Sequence, residues 1–153
     1  MVRPGRDRLS GTVEVDETYV GGFEEGARGR QTETKAVVVI AAEENGAGIG
    51  RIRMRYIRDA SAASLMPFIQ EAIEPDSVVH TDGWLGYLPL DAKTSGYIHQ
   101  VTFFKGKRKS PSELMPLVHR VASLLKRWLL GTHEGAVSHE HLEYLLGRVH
   151  IPI

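Results

Sequence analysis

The chain has 153 residues, 42% of them hydrophobic and 25% charged, and a formal net charge of zero, which fits one globular domain and not a disordered chain. It contains no cysteine, which excludes disulfides, thiol catalysis and cysteine-based zinc sites. The N-terminus has no apolar stretch like that of a signal peptide, and no apolar run approaches the roughly 18 residues of a membrane helix, so we expect a cytoplasmic protein with no membrane partner.

The first part of the chain predicts an arm, a strand and a loop. Residues 1–11 are polar and contain glycine and proline, which is typical of an arm. Residues 12–20 alternate between apolar and polar side chains as a β-strand does, and this places Asp16 on the polar face. Gly21 and the glycine that follows it end the strand, and the glycine-rich, charged residues 23–33 predict a loop.

The middle of the chain predicts a hairpin, a helix and a short strand. The apolar run 37–40 is typical of a strand buried on both faces. Asn45-Gly46 is a turn signal, and residues 49–57 follow it as the second strand of a hairpin. A helix is predicted over residues 61–73, with serine at its N-cap. Residues 78–83 then form a short buried strand that reaches a turn, so that Asp82 lies at the rim of the sheet.

The last third of the chain predicts another short strand and the longest helix. Residues 97–104 are expected to form the strand. Ser110-Pro111 opens a helix that Gly131 ends, and a further helix is expected over residues 139–146. An apolar stripe of four turns runs along the long helix and consists of Leu114, Leu117, Val118, Val121, Leu124, Leu125, Trp128 and Leu129. Together these elements predict an α/β fold around a single sheet.

A basic segment overlaps this helix. Residues 105–127 contain seven basic side chains and one acidic side chain, so the segment carries a charge of +6 and the rest of the chain −6. The basic residues are Lys105, Lys107, Arg108, Lys109, Arg120, Lys126 and Arg127. A local positive patch is what attraction to nucleic-acid phosphates requires, whatever the total charge. For residues 105–109 alone, a solvated lysine-rich loop is an equally open interpretation.

Two aspartates and one histidine are candidate metal ligands. A carboxylate within a strand, such as that of Asp16, is unfavourable unless it is solvated, paired or bound to a cation. If adjacent strands bring Asp16 and Asp82 together, the pair can bind a hard cation such as Mg²⁺. His119 and Lys126 lie two helical turns apart and project from nearly the same side of the long helix. Each residue taken alone has an ordinary alternative, a turn former for a strand-end aspartate and a half-buried helix residue for His119.

Three sequence blocks resemble, in order, the catalytic blocks of a group of bacterial insertion-sequence transposases. The first is Val-Asp-Glu-Thr-Tyr-Val-Gly-Gly at 15–22, and the second is Thr-Asp-Gly-Trp-Leu-Gly-Tyr at 81–87. The third is Val-His-Arg at 118–120, followed by Ser-Leu-Leu-Lys-Arg-Trp-Leu-Leu-Gly-Thr-His at 123–133. The similarity extends over about residues 3–144. The group is the DDE transposases in which the third acid is often replaced by asparagine and is followed seven residues later by lysine.

The resemblance implies an RNase H-like mixed sheet flanked by helices, with the catalytic domain at residues 12–146. It also implies a site with two divalent ions, Mg²⁺ or Mn²⁺, of which one activates water and then a DNA 3′-hydroxyl while the other stabilises the leaving oxygen. Asp16 and Asp82 correspond to the first two ligands of this site. His119 occupies the position of the third, where a neutral imidazole departs from the acidic pattern and favours Mn²⁺ more than a carboxylate does.

Further implications of the resemblance concern DNA and assembly. Lys126 is expected to contact DNA phosphate near the scissile bond, aided by Arg127 and the basic segment. The implied partners are the ends of an insertion sequence, its target DNA and further copies of the chain in a homo-oligomer. The implied location is the cytoplasm of a bacterium, in association with the nucleoid.

The two ends of the chain depart from the pattern of the group. Relatives are expected to carry a zinc-binding DNA-recognition region before the catalytic domain, and residues 147–153 form an atypical tail, so the sequence predicts a truncated copy. Whether such a copy is an active enzyme stays open. The alternatives are a catalytically silent remnant that binds DNA or dimerises, and a cellular RNase H-like nuclease unrelated to mobility.

Overall fold

A mixed sheet of five strands forms the centre of the computed structural model, which describes residues 7–20, 36–102 and 111–133. The strands are β1 (Thr12–Val20), β2 (Ala36–Asn45), β3 (Gly48–Ile57), β4 (Val78–Thr81) and β5 (Ile98–Val101). Their order in the sheet is β3-β2-β1-β4-β5. The first three strands in this order pair antiparallel, whereas β4 is parallel to β1 and β5 is parallel to β4. The predicted loop 23–33, the helix 139–146 and the tail 147–153 lie outside the described residues.

Helices cover both faces of the sheet. They are α1 (Ala62–Ala72), two 3-10 helices (Leu85–Asp91 and Lys93–Ser95), α2 (Pro111–Leu114) and α3 (Pro116–His133). Among the described residues no helix is both long and apolar enough to span a bilayer. On one face, a hydrophobic cluster joins the sheet to α1 and to the first 3-10 helix through residues such as Val13, Val15, Val39, Leu65, Ile69 and Tyr87. On the other face, a second cluster joins the sheet to α3 through Val38, Ile40, Met115, Val118, Val121 and Leu125.

The central hairpin and the apolar helix stripe agree with their predictions. Residues 37–40 are buried, as expected for a strand covered on both faces. The turn at Asn45-Gly46 connects β2 to β3, and Gly46 adopts a φ of +60°, which a residue without a Cβ adopts readily. In the stripe on α3, Leu117, Val118, Val121 and Leu125 are buried, while Leu124 and Trp128 pack partly buried against the same cluster.

Pro116 divides the helix that the sequence predicts to start at Ser110. The structure has two helices instead, α2 and α3, with a bend at Met115 between them. Proline has no N–H to donate and disfavours helical dihedral angles at the preceding residue, so Pro116 starts a new helix. The predicted end is also wrong, because α3 passes Gly131 and continues to His133. A glycine within a helix costs only about 1 kcal/mol relative to alanine, which helix packing can offset.

Part of the predicted N-terminal arm belongs to the core. Leu9 is fully buried, and its backbone N–H donates to the carbonyl oxygen of Ala72 at 2.8 Å. The N–H of Glu74 in turn donates to the carbonyl oxygen of Leu9 at 2.7 Å. One apolar residue between polar neighbours creates no periodicity, so the sequence pattern contains no signal for this contact.

Because β4 is short, it leaves part of the β1 edge unpaired on its side. The parallel pairing between the two strands covers only Thr12 to Glu14 on β1, and β4 ends at Thr81. β1 continues to Val20, and within the described residues its edge beyond Glu14 has no paired strand on the side of β4. Side chains from this part of β1 and from the turn after β4 therefore meet at the rim of the sheet.

Candidate metal centre

Asp16 and Asp82, which the sequence predicts to be metal ligands, lie side by side at this rim. The parallel register pairs Glu14 with His80, so Asp16 and Asp82 are level with each other two residues further along. Their carboxylate oxygens and one oxygen of Glu17 all lie within 4.8 Å of one another. Three carboxylates converge here at a distance suited to sharing a cation.

Glu17 is the member of this group that the strand pattern of the sequence does not indicate. Alternation along β1 directs it to the face opposite Asp16, which is the usual reason to separate two neighbouring residues. At this level β1 pairs with β2 on one side, and within the described residues no strand pairs with it on the side of β4, so both side chains reach that open edge. The buried hydroxyl of Tyr87 donates a hydrogen bond of 2.9 Å to Glu17 Oε1 and holds that carboxylate in place. The Asp-Glu pair in the first sequence block is the only signal that could have indicated this residue.

The turn after β4 fixes the carboxylate of Asp82. The N–H of Trp84 donates to Asp82 Oδ1 at 3.0 Å, as in an Asx turn. The next residue, Gly83, has a φ of +83°, a conformation that glycine tolerates and side chains rarely adopt. The Gly83 N–H donates to the hydroxyl oxygen of Thr81 at 3.3 Å. Asp82 therefore extends from a defined turn and not from a strand.

Burial and repulsion between neighbouring charges raise the pKa of Asp16 and of Glu17. Burial raises the pKa of Asp16 from 3.8 to about 8, with contributions from the Glu17 carboxyl group and from the charge of Asp82. Burial also raises the pKa of Glu17, and the charge of Asp82 adds to it, although hydrogen bonds from Asp16 and Tyr87 act in the opposite direction. The repulsion among these buried carboxylates is reduced either when one of them is protonated or when a cation binds between them. The donor set, made only of carboxylate oxygens, fits a hard divalent ion.

Replacing Asp16 by asparagine is expected to stabilise the metal-free domain near neutral pH. The folded pKa of about 8 exceeds the unfolded value of 3.8, so between these values the folded state binds the additional proton and stability falls as pH rises. An amide does not ionise, so the variant should lose this part of the pH dependence and gain at least about 1 kcal/mol, or about 2–4 °C in Tm, at about pH 8. Thermal unfolding in the presence of a chelator at about pH 5 and about pH 8 measures the difference. Equal pH dependence in both proteins would contradict the assigned environment.

Glu14 links the strand that carries Asp16 to the long helix α3. Its side chain is only 7% exposed, and its Oε1 accepts hydrogen bonds from the backbone N–H groups of Leu117 at 3.0 Å and Val118 at 3.1 Å. These N–H groups belong to the first turn of α3, where the helix itself provides no acceptor. Burial raises the pKa of Glu14 in spite of these two bonds. The carboxyl group thus anchors the start of α3 two residues from Asp16.

His119 and the basic residues of α3 lie on the exposed surface of that helix. His119 is exposed and is not part of the group of carboxylates described above, so the structure brings Asp16 and Asp82 together but not His119. Lys126, Arg120 and Arg127 are also exposed on α3. The remaining members of the predicted DNA-binding set, namely Lys105, Lys107, Arg108 and Lys109, lie outside the described residues.

Comparison with known protein families gives one match over most of the chain. A family model described as an ISXO2-like transposase domain matches residues 8–149. A comparison with curated protein sequences gives no significant match.

Comparison with solved structures gives a similarity of fold. The chain is similar to a chain in the cryo-EM structure of the simian T-cell lymphotropic virus intasome in complex with PP2A regulatory subunit B56 gamma, with a TM-score of 0.59 and 15% sequence identity. The match covers 91% of this chain and 48% of the other, so this chain spans about half the length of the one it matches. The similarity confirms the predicted RNase H-like class, a mixed sheet flanked by helices.

Proposed function

Because the chain belongs to the ISXO2-like transposase domain family, we propose that it is a transposase catalytic domain that performs metal-dependent phosphoryl transfer on DNA. The convergence of the carboxylates of Asp16, Glu17 and Asp82 at the open edge of β1 is the observation that carries this proposal. The reaction consists of strand cleavage followed by transfer of the strand to a target. DDE transposases generally use divalent metals for this chemistry, and bound ions of this kind polarise the phosphate and lower the pKa of the attacking water or hydroxyl.

In this proposal the carboxylates hold two divalent ions, Mg²⁺ or Mn²⁺. Asp16 and Asp82 are the principal ligands, because both extend to the open rim and each accepts a backbone N–H, that of Glu17 at Asp16 Oδ1 and that of Trp84 at Asp82 Oδ1, while no ion pair among the described residues neutralises either one. Glu17 supplies a further carboxylate oxygen, oriented by the Tyr87 hydroxyl. His119 is the third ligand that the family resemblance implies, and it lies in the second turn of the helix anchored by Glu14.

The proposed DNA contacts lie on the same helix. Arg120, Lys126 and Arg127 are exposed, and basic side chains of this kind bind phosphates and set the register of a duplex. By the resemblance, Lys126 contacts DNA phosphate near the scissile bond, and residues 105–109 extend the same positive segment in the sequence. Homo-oligomerisation, recognition of insertion-sequence ends and a cytoplasmic location remain predictions.

A plasmid-nicking assay tests the proposed function directly. Purified protein is incubated with supercoiled plasmid DNA and either Mg²⁺ or Mn²⁺, and the conversion to the nicked circle is followed by gel electrophoresis. We expect nicking that depends on the ion, disappears with a chelator and weakens as salt rises, since phosphate contacts release counterions. Nicking that persists in chelator would contradict the proposed function. Salt-sensitive DNA binding without nicking in either Mg²⁺ or Mn²⁺ would also contradict it and would favour a silent DNA-binding remnant.

The contribution of each proposed third ligand can be measured by Mn²⁺ titration. His119→Ala and Glu17→Gln are each expected to weaken Mn²⁺ binding by about 10-fold, since each change removes or neutralises one donor while Asp16 and Asp82 remain. Calorimetry, or electron paramagnetic resonance of free Mn²⁺, gives the dissociation constant. Glu71→Gln, which changes an exposed carboxylate paired with Arg55 on α1 and β3, is the matched control and should leave the affinity unchanged. Unchanged affinity in either test variant removes that residue from the ligand set.

A further inference from the structure

A chain of hydrogen bonds leads from the first 3-10 helix to the turn that carries Asp82. At its outer end, the imidazole Nδ1 of His99 on β5 lies 2.6 Å from Asp91 Oδ1. The other ring nitrogen of His99, Nε2, lies 2.7 Å from the hydroxyl oxygen of Thr81, the last residue of β4. At the inner end, the same hydroxyl oxygen accepts the N–H of Gly83. The chain thus connects three elements of the fold to the residues on either side of Asp82.

The donor and acceptor roles along this chain determine one another. A backbone N–H can only donate, so the Thr81 oxygen accepts from Gly83 through one lone pair, and its proton stays available to donate to Nε2 of a neutral His99. The carboxylate of Asp91 accepts from Nδ1, which leaves His99 with its proton on Nδ1 and a free lone pair on Nε2. Every donor has an acceptor, and the hydroxyl of Thr81 has both of its roles filled.

The order of carboxylate, imidazole and hydroxyl is the one found in hydrolase triads, but the hydroxyl here cannot be a nucleophile. Thr81 is completely buried, at 0% exposure, and the imidazole side chain of His99 is only 4% exposed. A nucleophilic hydroxyl has to reach the substrate. The chain therefore acts on the protein itself, at the turn that the Thr81 oxygen contacts.

We propose that Thr81, His99 and Asp91 are positioning residues that hold the Asp82 carboxylate in reach of Asp16. Asp82 lies beyond the end of β4, and among the residues that the structure describes no strand pairs with its backbone. Two hydrogen bonds to side-chain oxygens define the turn, from the Trp84 N–H to Asp82 Oδ1 and from the Gly83 N–H to the Thr81 hydroxyl, while the Thr102 N–H holds the Thr81 carbonyl oxygen at 2.9 Å. The bond from Trp84 uses an oxygen of Asp82 that a metal ion would also need. The bond from Gly83 to the Thr81 hydroxyl does not involve the Asp82 carboxylate, so it can hold the turn whether or not Asp82 binds an ion. The inference rests on the proposed function, because it requires Asp82 to bind a metal ion.

Thr81→Val removes the hydroxyl from this chain while keeping the branched shape of the side chain. We expect Mn²⁺ binding to weaken by about 10-fold, the lower end of the effect of removing a group that orients a metal ligand. Thr81→Ser retains the hydroxyl and is expected to bind Mn²⁺ nearly as tightly as the unmodified protein. The dissociation constants come from Mn²⁺ titration of the whole chain, and thermal unfolding of each variant is recorded alongside.

A second threonine–histidine pair, between His80 on β4 and Thr102 directly after β5, provides a matched control. His80 Nε2 hydrogen-bonds to the Thr102 hydroxyl, but neither of these two side-chain groups contacts the N–H of Gly83. Thr102→Val therefore removes a bond of the same type but keeps the backbone N–H that Thr102 donates to the Thr81 carbonyl oxygen, and its Mn²⁺ affinity should stay unchanged. An equal loss of affinity in Thr102→Val and Thr81→Val would overturn the proposal, since the effect would then be general loosening of the sheet.

A double-variant comparison shows whether Thr81 acts through Asp82. In an Asp82→Ala background the ligand is already absent, so adding Thr81→Val should weaken Mn²⁺ binding no further. A full additional loss of about 10-fold in that background would overturn the proposal. If Thr81→Val fails to fold, Asp91→Ala carries the test, because the Asp91 side chain is 56% exposed and its removal leaves the core intact. Mn²⁺ affinity unchanged by Asp91→Ala would in that case overturn it.

Failure of this inference can be told apart from failure of the proposed function. If the unmodified chain does not bind Mn²⁺, or if Asp82→Ala has no effect on binding, the proposed metal site is wrong and the positioning role falls with it. If Asp82→Ala weakens binding but Thr81→Val behaves like the unmodified chain, the metal site stands and only the positioning role is overturned.

Discussion

Asp16→Ala and Asp82→Ala are each expected to lower ion-dependent plasmid nicking by about a thousand-fold or more. A bound metal contributes several kcal/mol of transition-state stabilisation, and each 1.36 kcal/mol corresponds to a factor of about ten in rate. Both residues lie in the group of carboxylates at the rim of the sheet, so removal of either one takes away a principal donor to the ions. The measurement is the initial rate of nicked-circle formation at saturating Mg²⁺ and again at saturating Mn²⁺.

The controls separate loss of chemistry from loss of fold. Glu71→Gln removes a carboxylate of similar size from the exposed surface and should retain the rate of the unmodified domain. Asp16→Ala should unfold at an equal or higher temperature in chelator, because it removes a carboxyl group whose pKa burial and neighbouring acids raise to about 8. Full nicking activity in either aspartate variant would show that the strand cleavage does not occur at this site.

Local patterns in the sequence were sufficient to locate the two aspartates. Alternation along β1 indicated the face of Asp16, and the apolar run of β4 followed by Asp-Gly indicated that Asp82 ends a strand. Both are short-range properties of strands, in which the side-chain direction changes at every residue. What the pattern could not state is that β4 is parallel to β1 and stops level with Asp16, since strand pairing depends on contacts far apart in the sequence.

The parts of the site that the sequence did not reveal depend on long-range contacts. Strand alternation directs Glu17 away from Asp16. It reaches the same rim because the edge of β1 toward β4 is open at this level in the described residues and because the Tyr87 hydroxyl holds its carboxylate there. Likewise, the contacts among Asp91, His99 and Thr81 join residues from three elements, and no spacing rule predicts them. These residues have no periodic pattern of their own, so only the folded arrangement identifies them.

The start of α3 shows how a local signal and a distant one combine. Proline at position 116 is a local signal for a new helix. The apolar stripe continues on both sides of it and therefore predicts a single helix, which hides this signal. A new helix start exposes N–H groups that need acceptors. The acceptor is Glu14, more than a hundred residues earlier, on the polar face that alternation assigned to solvent or to a cation.

Glu14→Ala is therefore expected to destabilise the domain by about 2–3 kcal/mol, because two N–H groups at the start of α3 lose an acceptor in a buried place. The expected fall in Tm is about 5–10 °C for a chain of this size. Glu14→Gln keeps an oxygen in the same position and should lose no more than about 1 kcal/mol. Unfolding by urea, followed by circular dichroism, measures the free energy of unfolding of both variants.

The contrast between the two Glu14 variants distinguishes the acceptor from its charge. Burial raises the pKa of Glu14, so the fold disfavours its ionised form even though the start of a helix favours an anion. Replacement by an amide removes that desolvation penalty and keeps the acceptor, and the variant should stay close to the unmodified protein in stability. A loss as large in Glu14→Gln as in Glu14→Ala would mean that the charge, and not the position of the oxygen, holds α3 to β1. Glu74→Ala, at an exposed position after α1, should change the free energy of unfolding by no more than about 0.5 kcal/mol and serves as the reference for loss of an acidic side chain alone.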